Sequence, residues 1–240
     1  MDYEKLFAEL AEFDTPTVCN ALETFDKGRR LSGYGKPGMV LRSKNEKPMV
    51  GFAVTAKTSG TSPRTAEQVA LKDEFYRSAA RSPKPTVICC QDTDAEPVGS
   101  FWGEMQASIF SALGAVGTIT EGGVRDIDST LDVPFRFYST CVEVSHANVH
   151  VEAVNVPVVI RGQIINPGDI IHCDKHGFVV FPERYLSKLA DACRRMTEAE
   201  GVLLDPLREC RRKGVRPDVE DIIKWNQACG KARAALKTEV

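Results

Sequence analysis

The 240-residue chain has eight cysteines, Cys19, Cys89, Cys90, Cys141, Cys173, Cys193, Cys210 and Cys229, yet no Cys-x-x-Cys pair. That absence removes the zinc-ribbon reading. No apolar run reaches the roughly 18 residues that a membrane helix needs, and the opening MDYEKLFAEL is acidic and amphipathic rather than basic and then apolar. Membrane spanning and export therefore lack any segment to carry them. Excess charge of one sign is missing too: 31 basic residues stand against 33 acidic ones, for a net charge of −2. No general attraction to nucleic acid or to anionic membrane is encoded. Nor does a G-x-G-x-x-G loop open a helix after a strand, so nothing marks an S-adenosylmethionine site.

What remains describes a globular protein. Hydrophobic residues make up 42% and charged residues 27% of the chain, with 13 prolines and 18 glycines spread along it. This is ordinary for a packed domain and wrong for disorder, collagen or coiled coil. The length suggests one large domain, or one with an appendage. Several cysteines sit in apolar runs (VICC, IIHC, DAC), where a thiol behaves as a small hydrophobe; reduced, buried thiols in a cytoplasmic protein are expected.

Asp2 to Glu12 places Leu6, Phe7 and Leu10 on one helical face, and Asp14-Thr15-Pro16 reads as the cap of a second helix, Thr17 to Phe25. MVGFAVTA predicts a strand, SGTSPRT a loop, and Ala66 to Arg81 a helix stopped by Pro83 and Pro85. PTVICCQD is the continuous apolar run of a strand buried on both faces, with Cys89 and Cys90 pointing to opposite sides and Asp92 and Asp94 just past its end. Gly103 to Leu113 then has helical spacing and Val116 to Thr120 is a second buried strand, completing a strand, helix, strand unit. Extended segments dominate from VPFRFY to HGFVVFP. From Glu183 helical spacing returns, with Pro206 and the basic stretch RECRRKGVRP separating one helix from another, Val219 to Leu236, and the basic stretch itself read as a solvated loop.

Two histidine pairs, His146 and His150, His172 and His176, have the spacing of a helical metal chelate. Both lie in β-type sequence, where i and i+4 are about 13 Å apart, so turn or half-exposed histidines are the better reading. Carboxylates and an arginine are more informative. Gly103-Glu104 opens a helix, whose first N–H groups have no partner of their own and suit a carboxylate or oxyanion. Glu121-Gly-Gly-Val-Arg-Asp126 reads as a tight turn at the carboxyl end of a buried strand, the edge where ligands collect in open α/β sheets. Arg125 offers a planar fork for a carboxylate and Asp126 a hard oxygen for a divalent cation. Together they suit an anionic oxo acid with a metal, although an Arg-Asp pair in a turn also occurs as a plain surface ion pair.

The opening DTPTVCNAL, the segment GSFWGEM, the acidic Glu104 followed after twenty residues by Arg125-Asp126, and the ending GQIINPGDIIHCDKHGFVVFP occur in the order seen in a known family. Over roughly Asp14 to Pro182 the chain resembles the family of 4-hydroxy-4-methyl-2-oxoglutarate aldolases and regulator-of-ribonuclease-activity-A-like proteins. The resemblance implies a three-layer α/β/β sandwich of the swivelling phosphohistidine-domain type, residues 1–182, with a C-terminal helical extension, 183–240. It implies a homotrimer or hexamer with sites between subunits, acting on a small 2-oxo acid with Mg2+ or Mn2+. Carried over residue by residue, Gly103, Glu104, Met105 and Gln106 surround the pyruvoyl group, Arg125 meets its oxygen, Asp126 holds the metal and Glu104 a metal-bound water. The family's acidic residue from the adjacent subunit has no matching position. Glu121-Gly122 and Asn20-Ala21 depart from the family's Asp-Gly and Asp-Ala.

The activity so implied is cleavage of 4-hydroxy-2-oxo acids to pyruvate, with oxaloacetate decarboxylation as a second reaction, through an enolate shared between metal and Arg125. Lys57 and Lys72 are not needed. The alternative from another class is a non-catalytic regulator that binds and inhibits a ribonuclease, for which the basic stretch Arg208 to Arg216 is the one candidate contact.

Overall fold

The computed structural model describes residues 1–44 and 47–239. The chain divides into two compact units, Met1–Thr15 with Gly33–Glu183, and Pro16–Ser32 with Arg184–Val240. A segment from near the N-terminus thus groups with the tail.

The first unit begins with helix α1 (Tyr3–Leu10), capped by the Asp2 side chain on the Lys5 amide and burying Phe7 and Leu10. Its strands are β1 (Val40–Leu41), β2 (Met49–Ser59), β3 (Thr86–Asp92), β4 (Ala115–Val124), β5 (Arg136–Val142), β6 (His150–Val154), β7 (Val158–Ile160), β8 (Gln163–Ile165), β9 (Ile170–Asp174) and β10 (Gly177–Phe181). Helix α3 (Ala66–Arg81) joins β2 to β3, and α4 (Glu104–Ala112) joins β3 to β4. The pairs β2–β3, β3–β4 and β4–β5 are parallel; the first two are joined by helical crossovers and the third by a loop. The free edge of β2 is shared: Met49–Phe52 pair with β9, and Ala56–Ser59 with β6, both antiparallel. The result is a mixed eight-stranded sheet, nearly closed and barrel-like, in the order β1-β5-β4-β3-β2-β9-β10, with β6 as the eighth strand beside β2.

Both faces of this sheet are covered. On one, Val87, Cys89 and Ile119 pack with Val158, Ile160 and Ile165 of the separate β7–β8 hairpin. On the other, Ile88, Cys90 and Phe137 pack with Phe75 of α3, Phe110 of α4 and Trp102. Cys89 and Cys90 therefore do point to opposite faces, and the unbroken apolar run of β3 follows from burial on both sides. One expectation needs correction. Glu121 to Val124 are strand, not turn; pairing with β5 slips between Thr120 and Gly123 and then resumes at Gly123–Cys141. Gly122 makes the slip feasible, since a Cβ there would stand 2.8 Å from Asp92 Oδ2.

The second unit holds α2 (Thr15–Leu22), a 3-10 turn (Lys27–Leu31) capped by Asp26, and helices α5 (Leu186–Lys213) and α6 (Val219–Ala235). Here too the sequence reading is corrected. α5 runs through Pro206 rather than ending at it. Proline removes the bond to the carbonyl of Val202 and crowds that carbonyl, and Val202 is 41% exposed, so the interruption falls on a solvent-facing residue of the helix. The helix stops at Gly214, in the left-handed region at φ 67°, whose N–H caps the last turn, with Val215 N–H on the Cys210 carbonyl. The basic stretch expected as a loop is therefore helical as far as Lys213, with Arg208 on Asp205 and Arg212 on Glu209 at i,i+3 spacing. No helix among the described residues is long and apolar enough to cross a membrane.

Candidate functional site

Trp102 forms a bridge with Val124, and the Arg125 N–H donates to the Trp102 carbonyl at 2.9 Å, so the start of α4 and the end of β4 run side by side. Immediately beyond, Asp126 adopts φ 56°, a left-handed conformation that aspartate tolerates better than most residues. This turns its carboxylate back onto α4, where Oδ2 accepts the Glu104 N–H at 3.1 Å, one of the helix's unpaired first-turn donors. Arg125 Nε lies 3.7 Å from the same oxygen. Gly103 is extended, at φ −157°, so its need for glycine is not conformational: a Cβ there would overlap Asp126 Oδ2 and crowd Arg125 Cγ. Among the described residues Asp126 Oδ1 accepts no hydrogen bond.

A cavity of about 440 Å³ opens at this point. Of the six residues expected at a site, Gly103, Met105, Gln106, Arg125 and Asp126 border it. Glu104 does not: its side chain is exposed, and it reaches the group through its main-chain N–H. Gln106 is held by the Tyr76 hydroxyl, which donates to its Oε1 at 2.9 Å and ties α3 to α4.

The remaining walls were not read from the sequence. Arg64 and Lys72 come from the entrance and first turns of α3, whose Thr65–Gln68 capping box fixes where that helix begins. Asp94 holds the preceding loop, accepting from Ser59 Oγ, Gly60 N–H and Thr61 Oγ1 at 2.6–2.9 Å. Burial alone would raise the Asp94 carboxyl, but these hydrogen bonds outweigh it and keep it below the usual value. Its neighbour Asp92 has fewer donors, and burial pushes it up to about 6. His146 and His150 also border the cavity. His150 is 4% exposed, with Nδ1 at 2.9 Å from the Asn148 carbonyl and Nε2 without a hydrogen-bond partner among the described residues. The i,i+4 spacing of these two histidines gave no hint of this, because β6 begins only at His150 and the loop before it carries His146 back to the same opening.

The described residues contain no group of three or more His, Cys, Asp or Glu side chains placed to hold a metal ion. Asp126 alone, with its unfilled Oδ1, fits the habit of magnesium, which keeps several waters and takes one or two carboxylates together with substrate oxygens. The site thus pairs a hard anionic oxygen with a guanidinium, and further cations, Arg64 and Lys72, border the same cavity.

A family model described as RraA-like, aldolase/RraA, matches residues 15–180. Protein DlpA of Legionella pneumophila is 27% identical over 205 residues; the match takes in 80% of this chain and only 32% of that protein, so the chain spans about a third of its length. A putative 4-hydroxy-4-methyl-2-oxoglutarate aldolase of Halalkalibacterium halodurans is 24% identical over 176 residues, covering 72% of this chain and 79% of that one. In fold, the chain is similar to Streptomyces coelicolor RraAS2, titled an unusual member of the RNase ES inhibitor RraA protein family, at a TM-score of 0.64 and 20% identity, with 82% and 93% of the two chains covered.

Proposed function

Since the chain belongs to the RraA-like (aldolase/RraA) family, which holds aldolases and ribonuclease inhibitors alike, we propose that it is a divalent-metal-dependent carbon–carbon lyase releasing pyruvate from 4-hydroxy-2-oxo acids. The observation that carries this reading is the Gly103 cradle: a residue without a side chain leaves room for the Asp126 carboxylate, beside Arg125, on the wall of a cavity of about 440 Å³. A surface ion pair would need neither the cradle nor the cavity.

In this reading Asp126 would hold Mg2+ or Mn2+, and Glu104 serves through its main-chain N–H, which fixes the Asp126 carboxylate, rather than through a carboxylate that holds water. When bound, the metal supplies Lewis-acid polarisation of the 2-oxo acid's keto and carboxylate oxygens. Arg125 binds the pyruvoyl carboxylate and keto oxygen and faces the negative charge that develops on that oxygen as the bond β to it breaks. The main chain at Gly103, Met105 and Gln106 orients the same group, and Tyr76 keeps Gln106 in place. The hydroxyl proton of the substrate leaves to solvent water in the cavity. With oxaloacetate the same arrangement accepts the electron pair left by departing carbon dioxide. The layering of helices, sheet and hairpin supports a swivelling phosphohistidine-type α/β/β core over residues 1–182, with 183–240 as an extension. We assign the active form to a cytoplasmic homotrimer or hexamer.

A lactate-dehydrogenase-coupled assay across oxaloacetate and several 4-hydroxy-2-oxo acids tests this reading, with and without EDTA and added magnesium or manganese. Metal-dependent pyruvate release should fall at least 100-fold in Asp126→Ala and in Arg125→Lys, a loss of about 3 kcal/mol or more of transition-state stabilisation. Stoichiometric binding of a ribonuclease with no pyruvate from any substrate would replace the lyase reading by the regulator one.

A further inference from the structure

Helix α6 is short of partners within the chain. Of its 17 residues only Cys229 is buried, on the side that packs against α5. A second face, Val219, Ile223, Asn226, Gly230 and Ala234, follows helical spacing and is exposed from end to end. Its two ends differ. The N-terminal half presents Val219 and Ile223, 62% and 43% exposed, whereas Gly230 and Ala234 leave the C-terminal half with no side chain larger than a methyl group. Glycine weakens a helix interior, and nothing inside the chain asks for it here, since a Cβ on Gly230 would meet no atom within 4 Å.

Gly230 and Ala234 border a hollow of about 380 Å³, formed entirely within the second unit by α2, the 3-10 turn, α5 and α6. Its rim is basic. Lys27, Arg30 and Arg233 line it against a single acid, Glu23, which Arg30 meets at 2.7 Å. Lys27 forms no ion pair among the described residues. The start of α6 has the opposite sign: Asp218 caps it, and Glu220 and Asp221 follow Val219 in the first turn without an ion pair among the described residues. One face of one helix therefore carries a projecting apolar end beside acids and, about 22 Å along the axis, a basic hollow. A surface that holds both halves of a contact is self-complementary, as a two-fold interface requires, because the contact made at one end is repeated at the other.

We propose that this face of α6 is a two-fold contact between two copies of the chain. The two helices lie antiparallel and cross near Asn226, the midpoint of the face. Val219 of each copy enters the hollow of the other, Ile223 rests over Gly230, and Glu220 and Asp221 meet Lys27 and Arg30. A partner that used the hollow alone would leave Val219 and Ile223 in water; a second copy covers both. The proposal does not depend on the lyase reading, and of the two assemblies assigned above it selects the hexamer.

Sedimentation of the full chain tests this. The wild type should contain an even number of chains, and Gly230→Leu, which blocks the approach of a second helix, should halve that number or weaken association roughly tenfold or more. Because the position is open inside the chain, circular dichroism of this variant should show its helices intact. Glu220→Lys and Lys27→Glu should each weaken association in the same way, and the two together should restore it, which a merely unfolded variant would not do. A monomer or an odd number of chains for the wild type, or a number that either Gly230→Leu or the single charge reversals leave unchanged, overturns the proposal.

Discussion

At the scale of single residues, Gly103 and His172 show two ways in which a position is constrained by what surrounds it. The backbone of Gly103 is open to any residue, yet its side chain has nowhere to go but onto Asp126. Gly103→Ala should therefore displace the Asp126 carboxylate and lower pyruvate release by tenfold or more in the coupled assay while barely moving the thermal midpoint; unchanged turnover would remove the cradle from the proposed site. His172 is held neutral by burial, which brings it down to about 4. Its two contacts suit one tautomer, Nε2–H to the Leu10 carbonyl and Nδ1 accepting from Thr15. A histidine depressed in the folded state stabilises above its unfolded value near 6.5, and that stability is lost as pH falls to about 4. Urea unfolding at pH 7 and pH 4 should differ by about 3 kcal/mol on this account, and His172→Gln should flatten the slope. Neither constraint was legible in the sequence, because each depends on a partner 20 to 160 residues away.

Among elements, α3 and β3 were read almost residue for residue, since a following proline and an uninterrupted apolar run are local signals. β4 and α5 were each read too short, and for a common reason. Gly-Gly and Pro look like breaks, but strand pairing carries β4 past Gly122–Gly123, and α5 continues on both sides of Pro206. Pro206 should still weaken its part of the helix. Pro206→Ala is expected to strengthen the turn around it by roughly 1–3 kcal/mol, seen as slower amide hydrogen exchange through Lys213; unaltered exchange would mean that the C-terminal half of α5 is held by something other than its own hydrogen bonds.

For the whole molecule, the cysteines give the most direct test. All eight are thiols outside any disulfide: Cys89, Cys90, Cys173, Cys193 and Cys229 are buried, and Cys19, Cys141 and Cys210 partly so. Burial raises the thiols of Cys89, Cys90 and Cys173 above the ordinary value, which suppresses the reactive thiolate. A thiol reagent should modify at most the three partly exposed groups in the native protein at neutral pH and all eight after unfolding in denaturant. Rapid native reaction of more than three would mean that the core opens readily. The proposed assembly is checked in the same samples by sedimentation, which should return three or six times the 26.4 kDa of one chain.

The sequence by itself determined the alternation of strands and helices and the double-sided burial of β3, which follow from local periodicity, and pointed to Gly103, Arg125 and Asp126 at the larger cavity by a short motif; Met105 and Gln106 came from the family resemblance. Only the tertiary structure decided that Arg64, Lys72, His146 and His150 share that cavity, and that Glu104 meets Asp126 through its main-chain N–H rather than lining the cavity with its carboxylate. These placements depend on sheet pairing and helix packing between distant segments, where the energy lies in burial and shape rather than in the identity of neighbouring residues.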